Sequence, residues 1–191
     1  VLFRSDVVIV GAGPGGYVAA IRAAQLGLST ACIDRWVDTA GKPSLGGTCL
    51  NVGCIPSKAL LDTSHHYRDA THLFPSHGID VEGVSLDLGK VMARKDKVVT
   101  GLTRGIAALL RKNKVDFKAG TGRLVGNGQV EVRSGDTTET LTAQHIIIAT
   151  GSKPTAIPVA PVDGVHIVDN VGALSFDSVP GRRSEEHTSE L

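Results

Sequence analysis

The chain has 191 residues, 41% of them apolar and 20% charged, with a net charge of +1, the profile of one folded domain with a real apolar core. A charge this close to zero offers no pull towards nucleic acid or an anionic membrane, and four Phe, two Tyr and one Trp make a poor base-stacking surface. No apolar stretch approaches the roughly 20 residues of a membrane span. Three cysteines are too few for a secreted disulfide scaffold, so the expectation is a cytoplasmic protein that binds neither nucleic acid nor membrane.

In chain order, the first five residues stand apart. "VLFRS" (1–5) and "RSEEH" (183–187) can be encoded by reverse-complementary DNA, since GTGCTCTTCCGATCT reads back as AGATCGGAAGAGCAC. Unrelated peptides at opposite ends of a chain have no reason to be so related, and the pair resembles a translated sequencing adapter around an insert. On that reading 1–5 and 183–191 stay out of the fold argument, and 6–182 is a piece of a longer protein.

"DVVIV" (6–10) is a short β-branched run of the kind found in buried parallel strands. It leads through "GAGPGG" into "YVAAIRAAQLGL", whose apolar residues recur at helical spacing and whose Gly27 suits a helix end. "STACID" (29–34) reads as a second strand, so the chain opens with a βαβ unit and predicts a parallel sheet with a right-handed crossover. A polar, glycine-rich connection follows (35–48), then a helical pattern from Pro56 to about His72 that Pro75 stops. A longer helix, roughly Asp87 to Asn113, carries Val91, Met92, Val99, Leu102, Ile106, Leu109 and Leu110 near one face. Arg111, Lys112 and Lys114 close it favourably for the helix dipole. Five short strands complete the pattern: "VDFKAG", "GRLVG", "GQVEVRS", "TETLTAQ" and "HIIIATG", with "GNG" and "SGD" as turns. The class is α/β: a parallel sheet with crossover helices and a small added antiparallel meander.

Gly11, Gly13 and Gly16 fit G-x-G-x-x-G, and the motif lies between a strand and a helix, with Asp34 ending the next strand. This is the arrangement of a dinucleotide fold. Gly11 allows the tight turn, Gly13 the close approach of a pyrophosphate, and Gly16 close packing of helix on strand, while the helix N-terminus favours the anion. Asp34 can accept from ribose hydroxyls and would repel a 2′-phosphate.

Cys49 and Cys54 lie five positions apart in "LGGTCLNVGCIPSK". A disulfide needs Cα atoms about 4.4–6.8 Å apart, whereas five residues of helix rise about 7.5 Å and five of strand about 16 Å. The two can pair only across an irregular turn, for which Gly46, Gly47 and Gly53 supply freedom. Pro56 suits the first helical position, leaving Cys54 just outside a helix start whose dipole lowers a thiol pKa. A redox couple, a structural staple and half a metal site all remain open; a staple over so short a loop adds little. Zinc would lack its other ligands, because His65 and His66 lie a helical turn or more away and no second C-x-x-C exists. No metal site is expected. Cys32 reads as a core residue, and His65, His66, His72, His77 and His145 as surface or capping residues.

"GGTCLNVGCIPSK" after an N-terminal "GAGPGG" resembles the flavoprotein disulfide reductases. The flanks "GKPSLGG", "KALLDTSHHY", "GIAALLRKNKVDFKAGTGRL" and "IIIATGSKP" are similar to the branch that oxidises dihydrolipoamide, and the resemblance covers essentially 6–182. It implies a Rossmann-like FAD-binding domain. It implies that Cys49 is the interchange thiol, that Cys54 is the thiol beside the flavin, and that Lys58 polarises the flavin ring. Gly11, Ala12, Gly13, Pro14, Gly15, Gly16, Asp34, Arg35, Gly47, Thr48, Lys58, Gly122, Thr150, Gly151 and Ser152 would line FAD. The physics of "ATGSKP" agrees independently, since a strand ending in Gly151 lets the chain pass close to a cofactor at the carboxyl edge of a sheet. The family also uses NAD through a second dinucleotide domain, a homodimer whose opposite subunit lends a His–Glu pair, and dihydrolipoamide on a lipoyl domain of a 2-oxo acid dehydrogenase complex. "ALSFDSVPGR" (173–182) resembles the segment just before the NAD-binding strand. The alternatives are another flavin disulfide reductase, of mercuric or glutathione type, and a non-catalytic FAD-binding fragment.

Overall fold

A computed structural model describes residues 3–184. Strand β1 (Phe3–Val10) leads through the glycine turn into helix α1 (Pro14–Gln25) and strand β2 (Thr30–Asp34). The expected βαβ unit is present, with β1 and β2 parallel and Val10 opposite Ile33. β1 begins earlier than "DVVIV" indicates, because it also pairs in parallel with the last strand all the way from Phe3 opposite Leu141 to Val10 opposite Ile148. Ser5 is thereby buried in the ladder, so residues 3–5 take part in the sheet, while 1–2 lie outside the described residues. Of the expected tail, 185–191 lies outside the described residues.

Helices α2 (Gly47–Val52), α3 (Cys54–Arg68) and α4 (Leu88–Lys112) follow, then strands β3 (Asp116–Ala119), β4 (Thr121–Gly126), β5 (Gln129–Ser134) and β6 (Thr137–Ile148) and the short helix α5 (Asn170–Ala173). The six strands form one sheet in the order β3-β2-β1-β6-β5-β4. Its β3-β2-β1-β6 part is parallel and its β6-β5-β4 part is the antiparallel meander. The two strands expected at "TETLTAQ" and "HIIIATG" are one. β6 runs antiparallel to β5 over Thr137–Thr142 and parallel to β1 over Leu141–Ile148, so the polar residues in its middle mark an exchange of partners rather than a break.

Period-two alternation assigns the two faces of the sheet. Val7, Ile9 and Cys32 point to the helices and pack with Ala20, Ile106 and Leu110. Val8, Val10, Ala31 and Ile33 point the other way, against Val130, Val132, Leu141 and Ala143 of the meander, which folds over that face. Lys118 of β3 bonds Glu139 of β6 at 3.1 Å across the same gap.

Helix α4 lies where its periodicity predicts and is N-capped by Asp87, which accepts from the Lys90 amide at 3.0 Å. Its apolar stripe is narrower than expected: Ile106 and Leu110 are buried, Leu102 and Leu109 exposed. Pro75 does not stop the helical path at His72. After α3 the chain continues through a wide turn (Asp69–Leu73) and a tight one (Phe74–His77) whose first turn holds Pro75, a position that needs no proline N–H.

Candidate functional site

Three stretches far apart in sequence meet at the carboxyl edge of β1. The Gly11 amide donates to the Ile33 carbonyl at 2.7 Å. Gly11 has φ +106°, and a Cβ there would overlap the Ala149 carbonyl oxygen. A Cβ on Gly16 would overlap the Gly11 carbonyl, so both glycines are required by close approach of backbone. The chain leaving β6 therefore presses on the turn, with Thr150, Gly151 and Ser152 exposed beyond it. From the other side the Gly46 amide donates to the Ala12 carbonyl at 2.9 Å, and a Cβ on Gly47 would lie 2.7 Å from the Gly13 Cα. Helix α1 starts in this cradle at Pro14 with Gly13 as its cap, no side-chain cap bond and no acidic residue in its first turn. Its free N–H groups and positive dipole end suit an anion.

Asp34 ends β2 as expected, but its carboxylate already accepts from the Ala12 amide (2.5 Å) and from the Trp36 amide (2.8 Å). It braces the glycine turn as well as facing the site. The Gly120 amide donates to the Asp34 carbonyl at 2.8 Å, drawing the start of β4 to the same edge. There Gly122 lies against Val10 and Ile33, with room for a Cβ only at 3.0 Å from Val10 Cγ1. Arg35, Pro14, Gly15 and Thr48 are exposed around the cradle.

The cysteine segment differs from the irregular turn expected. Cys49 sits in helix α2, only Gly53 (φ −141°, ψ −116°) interrupts the path, and Cys54 is the first residue of α3, with Pro56 two positions further in. The short helix α2 and the longer α3, meeting at Gly53, bring the two thiols within reach of one another, which a strand does not. Both are free thiols, Cys54 exposed and Cys49 half-buried. The hydrogen bond with Cys54 is the main cause that pushes the Cys49 thiol up, burial adds to it, and the Lys58 charge pulls the other way. Lys58 is exposed one turn along α3 from Cys54. Ser57 Oγ donates to the Gly53 carbonyl at 2.8 Å. Asn51, unmarked in the sequence reading, braces α2 by donating to the Leu45 and Gly47 carbonyls at 3.3 and 2.9 Å and accepting from Ser44 Oγ at 2.6 Å.

Cys32 is fully buried as expected, and His65, His66, His72, His77 and His145 are all exposed. Among the described residues no group of three or more His, Cys, Asp or Glu could hold a metal ion, and no helix is long and apolar enough to cross a membrane. A cavity of about 830 Å³ between the 36–45 segment, α2 and α4, lined among others by Trp36, Val52, Thr103, Phe117 and Val171, had no signal in the sequence because its walls come from separate elements.

Comparison with known proteins agrees with this geometry. Residues 5–187 match the family described as pyridine nucleotide-disulphide oxidoreductase. The dihydrolipoyl dehydrogenase 3 of Pseudomonas putida is 54% identical over 177 residues, which cover 92% of this chain and 36% of the relative. The mitochondrial dihydrolipoyl dehydrogenase 1 of Arabidopsis thaliana and the leghemoglobin reductase of Vigna unguiculata are each 50% identical over 178 residues, 93% of this chain and 34% and 33% of theirs. The chain thus spans about a third of the length of these curated relatives. The Cu(II) complex of the flavoprotein disulfide reductase RclA from Escherichia coli shares the fold, with a TM-score of 0.76 at 24% identity over 94% of this chain and 36% of that one. The glycine cradle, the paired thiols beside it and a family match over nearly every described residue agree: the chain belongs to the pyridine nucleotide-disulphide oxidoreductases.

Proposed function

We propose that this chain is the FAD-binding and dithiol part of an enzyme that oxidises dihydrolipoamide and passes the electrons to NAD. The observation that carries this reading is the fastening of the cysteine segment to the glycine turn, through the Gly46 to Ala12 hydrogen bond and the Gly47 to Gly13 contact. A dithiol that exchanges two electrons with a dinucleotide cofactor has to be held beside that cofactor's site.

The residues fit FAD. The cradle admits backbone but no side chain at Gly11 and Gly16, and the uncapped start of α1 offers donors to a pyrophosphate. Gly11 to Gly16, Asp34, Arg35, Gly47, Thr48, Lys58, Gly122 and Thr150 to Ser152 would hold the cofactor. When bound, FAD would supply the two-electron acceptor that restores the Cys49–Cys54 disulfide. The protein residues carry the sulfur chemistry. A substrate thiolate attacks the Cys49 sulfur, an S–S bond forms there, and the Cys49–Cys54 bond breaks to leave a Cys54 thiolate. The second substrate thiol then displaces Cys49, so the substrate leaves as a disulfide and two electrons remain on the pair. Hydrogen-bonded to Cys54, Cys49 keeps its proton to higher pH than an ordinary thiol, with the nearby Lys58 charge opposing that shift. The NAD site, the homodimer contacts and the proton-transferring His–Glu pair belong to parts of the protein outside this chain. The compartment is a reducing one, the cytoplasm, and the 191-residue chain alone does not turn over NAD.

The test is to offer oxidised lipoamide to the reduced chain and trap adducts by mass spectrometry. In Cys54→Ser a mixed disulfide should accumulate on Cys49, whereas wild type should resolve it to the internal disulfide. Faster trapping with glutathione disulfide than with lipoamide would move the reading to a glutathione-type reductase, and NAD-linked turnover by the 191-residue chain would overturn the division of labour.

A further inference from the structure

The turn between the two thiols is held from outside as well as from within. Val52, one of the four residues between them, ends α2 and carries one of the carbonyls a helix leaves unpaired. That carbonyl accepts from Asn170 Nδ2 at 2.7 Å, a donor 118 residues further along the chain. Asn170 is itself firmly placed. Asp169 accepts from the Val171 and Gly172 amides at 3.0 and 3.1 Å, fixing the start of α5. Gly172 packs so closely on Val168 that a Cβ would lie 2.8 Å from Val168 Cβ. On the far side of α5, Lys95 of α4, whose side chain is 11% exposed, donates to the Leu174 carbonyl at 2.8 Å. Val52 and Val171 line the same cavity.

The tendency of two thiols to close a disulfide is set by the effective concentration of one at the other. That concentration rises as the backbone between them is confined to geometries with Cα atoms about 4.4–6.8 Å apart. Asn51 confines the turn from inside α2; the segment 169–175, bolted to α4, confines it at Val52.

We infer that Asn170, delivered by the 169–175 strap, is a positioning residue for the Cys49–Cys54 pair and makes its disulfide easier to form. This rests on the redox reading of the pair, and the experiment separates the two. The full 191-residue chain is equilibrated in glutathione buffers of graded ratio, quenched by alkylation and scored for the Cys49–Cys54 disulfide by mass. Asn170→Asp keeps the size and removes the donor; losing one hydrogen bond of ordinary worth should lower the equilibrium constant for disulfide formation about fivefold. That corresponds to a reduction potential about 20 mV less negative. Lys95→Met, which frees the other end of the strap, should shift it in the same direction. Protection of Cys32 from alkylation reports the fold in the same samples, and Lys95→Met carries the test if Asn170→Asp exposes Cys32. Wild-type potentials with Cys32 protected would overturn the positioning role. A wild-type chain in which Cys49 and Cys54 never join at any ratio would overturn the redox reading instead.

Discussion

Cys32, Cys49 and Cys54 differ in what surrounds each sulfur. Cys32 is fully buried on the helix-facing side of β2, and burial, with the Asp34 charge adding to it, pushes its thiol up to about 12. A group whose pKa is raised by folding stabilises the fold fully below its unfolded pKa and loses that contribution as pH rises towards its folded one. Cys32 therefore supports the fold up to about pH 9 and progressively less towards pH 12. Thermal melts between pH 8 and 11 should show wild type losing stability with a steeper slope than Cys32→Ala; parallel curves would exonerate Cys32. The same sign applies to Cys49, whose proton is retained by its bond to Cys54. What the sequence reading resolved at this scale was side-chain chemistry at recognisable spacing: the glycines, Asp34 and the cysteine pair. Asn51, Asn170 and Lys95 escaped it because each bonds a main-chain carbonyl, and such a bond leaves no spacing to read.

At the level of elements, β6 is where the two halves of the sheet join. Leu141 is fully buried and pairs with Phe3 of β1 on one side and Val130 of β5 on the other. Leu141→Ala should cost about 2–5 kcal/mol, since it removes buried methyl groups at a site walled by two strands that cannot collapse independently. Urea unfolding would measure it, and a loss under about 1 kcal/mol would mean the meander is not part of the cooperative core. Strong periodicity made β1, β2, α1 and α4 readable. α2 was not, because "GTCLNV" is too short to show a period; it starts beside Gly46, whose amide is tied to Ala12. The union of the last two strands was hidden for the opposite reason, since partner exchange puts polar residues in mid-strand.

For the molecule as a whole, β6 beyond Ala143 pairs with β1 alone among the described residues, and Ile147 and Ile148 are 39% and 64% exposed there. An apolar strand with one open edge invites pairing with another chain. The 191-residue chain should therefore associate in a concentration-dependent way by sedimentation velocity, and Ile148→Lys should suppress it; a strictly monomeric wild type at every concentration would refute this. The register of β1 has a further consequence. Phe3 waits for Leu141, and Gln144 bonds Asp6 across a separation of 138 residues. With synthesis at roughly 5–20 residues per second, the face of Val8, Val10 and Ile33 stays without its cover of Val130, Val132 and Leu141 for on the order of ten seconds after it leaves the ribosome. The yield of folded protein should therefore follow the speed at which residues 35–140 are translated, which expression with slowed codons over that stretch would measure.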